Sequence, residues 1–213
     1  MPSWNVHLEA GNRVAKKLKL SGEKKKEFLF GCILPDVNNG YINRVKTEKP
    51  HDSTHYAYNQ KSSLNFYANY KKEVDKLDPI CLGYLLHLYT DGYFNYDFYR
   101  TIKRVPLGEG LEFKEKQTIK HHDFWLYDLN FKHHLNIKDL SEARKLANSA
   151  NRISAVKITP EDILDVESIL VKNELSEKLK GSDYIFYTKE RLDQLMDDMI
   201  KSFSNDYLGA KNA

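Results

Sequence analysis

Cysteine is scarce in this chain: Cys32 and Cys81 are the two among 213 residues. Two thiols cannot build a disulfide framework, and they suit a reducing compartment. Also missing is any apolar run near the roughly 20 residues that a membrane span requires, and the mean hydropathy is negative. Neither sign of charge is in large excess. Lys and Arg number 33 against 30 Asp and Glu, a net +3, which is too small to act as an electrostatic footprint for duplex nucleic acid. The opening Met1-Pro2-Ser3-Trp4-Asn5 lacks the basic region and apolar stretch of a signal peptide. No repeat, low-complexity tract or linker divides the chain. The expectation is one cytoplasmic domain, residues 1–213, with no membrane span and no duplex nucleic-acid partner. A chain of this length buries roughly 70% of its unfolded surface.

Helical spacing runs almost throughout. Val14, Ala15 and Leu18 recur beside polar Arg13, Lys16, Lys17 and Lys19, predicting a first helix over Val6–Leu20. Ser21 is the candidate N-cap of a second, ending near Pro35. Pro35 to Ser53 reads as an irregular loop, followed by a helix from Thr54 to about Lys72. Asp78-Pro79 pairs a capping carboxylate with a proline at the first helical position, and opens a long, apolar helix through Tyr99. Leu111–His134, the segments after Asp139 and Thr159, and Lys189–Phe203 complete the helices. Tyr184–Tyr187 is the one run with strand character. The predicted fold class is all-α, a helical bundle.

Eight histidines make placement the deciding argument. His87 and Asp91 stand four apart on the long helix and so share a face, where an imidazole and a carboxylate can reach one metal ion. An isolated pair of this kind is more often an ordinary hydrogen bond. Gly83, one turn earlier, would let a helix or ligand approach closely. His7 on the first helix, Asp36 after Pro35, and His51, Asp52 and His55 each have an unremarkable reading as core, turn or cap residues. Taken together, separated segments supplying His and Asp at the ends of an apolar bundle are how a multinuclear metal site is built.

The order His7-Leu8…Asn12-Arg13…Ala15, Gly31…Pro35-Asp36, Thr54-His55-Tyr56 and Leu82-Gly83…Leu86-His87…Asp91 resembles the zinc-dependent phospholipase C and S1/P1 nuclease family. The resemblance covers roughly the first hundred residues well and implies an all-α fold with a compact zinc cluster. Position by position it implies that Asp36, His55, His87 and Asp91 ligate a metal pair, and that His7 shares Asp91 on another ion. Where the family has a histidine ten residues after His87, this chain has Asp97. The later His-x-x-x-Glu ligand pair has no clean counterpart, and His122 or Asp123 is the nearest candidate, with His121 beside them. The family's terminal tryptophan ligand is missing because Trp4 is internal, which makes two zinc-type divalent ions the more economical expectation over three. The implied activity is hydrolysis of a small phosphoric ester, a phosphodiester or phospholipid-like molecule, with Asp36 as the residue that orients or deprotonates water. Tyr93, Phe94, Tyr96, Phe98 and Tyr99 are either a substrate wall or, as aromatic runs on central helices usually are, core. Two rivals stand beside this: an HD-type phosphohydrolase built on His51-Asp52, although that doublet follows Pro50 in an apparent loop, and a helical metal-binding protein without catalysis.

Overall fold

The computed structural model describes residues 2–40, 42, 49–56, 61–132, 135–172 and 174–209. Helices α1 (Trp4–Lys17) and α2 (Gly22–Gly31) lead into a short 3-10 turn, Leu34–Asp36. Then come α3 (His51–Thr54), α4 (Ser62–Asp75) and the central α5 (Pro79–Ile102). The later helices are α6 (Phe113–Asp128), α7 (Leu140–Ala150), α8 (Pro160–Lys172), α9 (Glu174–Glu177) and α10 (Lys189–Phe203), followed by a π-helical turn, Ser204–Leu208. Among the described residues there is no β-strand, so the all-α class holds. No helix of these residues is long and apolar enough to cross a membrane.

Capping chemistry explains several starts. The Asp78 carboxylate accepts the Cys81 N–H at 3.2 Å, and Pro79 stands at the first position of α5. Asp139 caps α7 through the Glu142 N–H. Thr159 and Asp162 satisfy each other's backbone N–H groups at the head of α8, the reciprocal box that ties down two otherwise orphaned donors. Helix α10 buries Leu192, Leu195, Met196, Met199, Ile200 and Phe203 along one face.

Three expectations change. The helix predicted over Thr54–Lys72 is divided, because α3 ends at Thr54 and Tyr56 takes φ 53°, which a helix cannot continue; residues 57–60 of that expectation lie outside the described residues. The helix predicted over Leu111–His134 is shorter, Phe113–Asp128, with 133–134 outside the described residues. Tyr184–Tyr187 is not a strand: its N–H groups turn to a side chain, Asp123, instead of a neighbouring strand. Of the loop predicted over Pro35–Ser53, residues 41 and 43–48 lie outside the described residues.

The crossing of α2 and α5 positions the site. A Cβ on Gly83 would stand 2.2 Å from the Phe28 carbonyl oxygen, and one on Gly31 would stand 2.5 Å from that of Ile80. Two bare glycines therefore let the helix backbones touch. That approach brings the Cys32 carbonyl, just past α2, to 2.8 Å from His87 Nδ1 on α5.

Candidate metal centre

Four segments meet around α5. His7 comes from α1, Asp36 from the 3-10 turn, and His51 and His55 from α3 and the residue after it. His87 and Asp91 come from adjacent turns of α5. All except His51 are almost wholly buried. His55 Nε2 lies 3.2 Å from His87 Nε2, 3.5 Å from Asp36 Oδ1 and 3.5 Å from Asp91 Oδ2. His87 Nε2 is 3.6 Å from Asp91 Oδ2 and 3.9 Å from Asp36 Oδ2. His7 Nε2 is 3.3 Å from Asp91 Oδ1, and its ring stacks on that of His87 at 4.0 Å.

Proton accounting shows what this cluster requires. A carbonyl oxygen can only accept, so His87 Nδ1 donates to the Cys32 carbonyl and His55 Nδ1 donates to that of His51, at 3.1 Å. A neutral imidazole has one N–H. When both rings are neutral, with their protons on Nδ1, two Nε2 lone pairs face each other across 3.2 Å. A cation between the two nitrogens relieves that repulsion, as does a proton on His55, whose pKa burial would lower but Asp91 and Asp36 raise. Ligands about 2.0–2.1 Å from one tetrahedral ion stand roughly 3.3 Å apart, which matches the shorter donor separations here. The buried nitrogens of His7 and both oxygens of Asp91 make no hydrogen bond of good geometry among the described residues. Buried polar atoms are normally satisfied, so these orphans suit cation ligation.

Two ligand groups result: His7, His87 and Asp91, and Asp36, His51 and His55, the donor atoms of each lying within 4.8 Å of one another. Burial alone would raise the Asp91 carboxyl, but His87, His55 and His7 hold it well below the usual carboxylate range. Burial raises the Asp36 carboxyl, with Asp91 adding to the rise and His55 opposing it. Burial, aided by His7, holds His87 well below the ordinary imidazole value.

His51, whose membership the sequence left open, lies with Asp36 and His55. Its ring stacks on His55 at 3.8 Å, and the i, i+4 spacing from His55 was the available signal. The doublet partner Asp52 has a carboxylate 83% exposed, so the HD-type arrangement loses its acid.

His122 and Asp123 stand outside the two ligand groups. Asp123 is fully buried and accepts the N–H groups of Ile185, Phe186 and Tyr187 at 2.7–2.8 Å, and His122 Nδ1 lies 3.1 Å from it. Its acceptor sites are committed to the backbone. Asp97 is likewise engaged, with Tyr187 Oη at 3.0 Å and Arg191 at 2.8 Å. His121 stacks on Trp125, and burial lowers its pKa to about 3.

A cavity of about 570 Å³ opens beside His55 and Asp91. The aromatic run divides between the two expected roles: Phe94 and Phe98 are core, whereas Tyr96 and Tyr99 line the cavity. Behind that wall the buried Lys120 donates to Asn95 Oδ1 at 2.9 Å.

Fold and site together define an all-α protein equipped to hold divalent ions between helices. The family model described as zinc dependent phospholipase C matches residues 6–156, which include every residue of the cluster. The chain belongs to that family. No match was found among curated proteins or solved structures.

Proposed function

We propose that this protein is a metal-dependent phosphodiester hydrolase holding two divalent ions, zinc by preference, within this His/Asp cluster. The observation that carries the reading is the convergence of three buried imidazoles and two buried carboxylates, with His55 Nε2 3.2 Å from His87 Nε2 and both Asp91 oxygens lacking a hydrogen bond of good geometry. Bound there, such ions would offset phosphate charge and lower the pKa of water to about 7.

The chain's own residues do the remaining work. The Cys32 and His51 carbonyls fix both imidazole tautomers, as second partners of metal-binding histidines commonly do. Asp36 is oriented by Asn39 Nδ2 at 3.1 Å and can accept a proton from an attacking water. The substrate enters through the cavity beside Asp91, a space suited to a small ester. We place the reaction in the cytoplasm, in keeping with Cys32 and Cys81, both free and buried.

The test is Asp36→Asn in protein with verified folding and metal content. Removal of a general base costs about 10²–10⁴-fold in turnover, read on bis(4-nitrophenyl) phosphate. A folded variant with full metal and undiminished rate would remove Asp36 from the mechanism. Metal analysis of the wild type should give about two ions per chain, and wild-type protein that binds no divalent ion would end the reading.

A further inference from the structure

The cavity beside the cluster is asymmetric in a way that the metal chemistry does not explain. At one end stand His55 and Asp91; at the other are Arg100, Lys103 and Arg104, with Tyr96 and Tyr99 lining it. Among the lining residues Asp91 is the one carboxylate, against those three cations. Lys103 and Arg104 are exposed and form no ion pair among the described residues. Arg100 approaches Asp97 at 3.3 Å, but Arg191 takes the same oxygen at 2.8 Å. Lys120 adds a buried ammonium behind Asn95 and Tyr99.

Basic residues at a helix C-terminus complement its dipole, and that alone would account for cations at this end of α5. It does not account for their lining one cavity together with the ligand cluster. Side chains on a helix lean toward its N-terminus, here toward Asp91. Arg100 does so, its guanidinium lying 5.5 Å from the centre of the Tyr96 ring. With a rise of 1.5 Å per residue, the positive end of the cavity begins about 8–14 Å along the axis from Asp91.

We infer that Arg100, Lys103 and Arg104 form a distal anion subsite, and that the substrate is a phosphodiester bearing a second negative group across an apolar spacer. The inference rests on the phosphodiesterase reading and deepens it. The scissile phosphate sits at the His/Asp end, the spacer lies along Tyr96 and Tyr99, and the far carboxylate or phosphate meets the cations.

Three 4-nitrophenyl phosphodiesters test this with the zinc-loaded full chain: the nonyl ester, the 8-carboxyoctyl ester and the 8-phosphonooxyoctyl ester. Exposed charge pairs are individually weak, so three together should favour the anionic esters by about tenfold in kcat/KM. The gain should be largest for the phosphate-terminated ester and should shrink with added salt. In the double variant Lys103→Glu, Arg104→Glu the anionic-to-neutral ratio should fall to one or below. Equal rates for all three esters in the wild type, or a ratio that survives in the double variant, would overturn the subsite. Failure of the parent reading looks different: neither these esters nor bis(4-nitrophenyl) phosphate would be cleaved. Calorimetric binding of 8-carboxyoctyl and nonyl methylphosphonate then decides the subsite alone. A preference for the carboxylate that disappears in the double variant supports it, and equal binding overturns it.

Discussion

Asp91 and Asp123 are both buried carboxylates on long helices, with exposures of 4% and 0%, yet their surroundings differ in kind. Asp123 gathers three backbone N–H groups from residues 185–187 and so fastens the chain after α9 onto α6. Asp91 faces three imidazoles at 3.3–3.6 Å and makes no well-formed hydrogen bond among the described residues. A satisfied buried acid is a structural tie, whereas an unsatisfied one marks a place where something else binds. The family match covers both acids but ends at residue 156, before residues 185–187 that Asp123 holds.

The largest expected effect lies on the satisfied side. Asp123→Ala would strand three buried N–H groups that now donate to a charged acceptor, a loss of at least about 3 kcal/mol in urea unfolding. Asp91→Ala in metal-free protein should cost less than Asp123→Ala, because it strands no backbone N–H group and removes only the contacts with the three imidazoles. Equal costs for the two changes would break the distinction between them.

That same pair shows what the sequence could reveal. Helix starts were readable where a cap and a proline coincide, as at Asp78-Pro79, because the chemistry is local. His87 and Asp91 were readable because helical spacing fixes their geometry. His7, Asp36 and His55 needed the family resemblance, since nothing local tells a ligand from a core or turn residue. The backbone partners of Asp123 were not readable because they arrive more than 60 positions later, a distance over which spacing carries no information. His51 was within reach through its i, i+4 spacing from His55, but nothing local told whether it was a ligand or a solvated loop residue.

Lys120 extends the comparison to a cation. It is buried beside neutral Asn95 and Tyr99, and burial lowers its pKa to about 8 although Asp91 pulls the other way. In the unfolded chain the same amine titrates near 10.4. Between these values unfolding takes up a proton, so stability rises with pH across that window and is penalised by a constant amount below it. Lys120→Met should therefore stabilise the protein by up to about 3 kcal/mol near pH 7. Its advantage over the wild type should vanish by about pH 10.5 in pH-dependent melts. A pH-independent difference would mean that the lysine is not penalised by its site.

Metal removal comes next in size. At a hundredfold excess over Kd, a bound ion contributes about 2.7 kcal/mol, which is roughly 5–10 °C in Tm for a chain of this length. Chelation should lower the melting temperature by that amount and zinc should restore it. His87→Ala should abolish the response, and a chelator shift that persists in this variant would place the ion elsewhere.

The smallest effect is the sharpest test of independence between the two regions. Tyr187 is almost fully buried and donates its hydroxyl to Asp97 Oδ2 at 3.0 Å. Its ring packs against Phe98, Phe124 and Phe186. Tyr187→Phe keeps those ring contacts and nearly the same volume, so the cost reduces to one hydrogen bond to a carboxylate. Asp97 retains Arg191 at 2.8 Å and is not left as an unpaired buried charge. The loss should be about 1–2 kcal/mol in urea unfolding, with metal content and the chelator shift unchanged. Asp97 lies on α5 like His87 and Asp91, so the helix offers a mechanical route between the clusters. If Tyr187→Phe also weakens zinc binding, the C-terminal segment is tuning the metal centre through α5, and the two regions are one device.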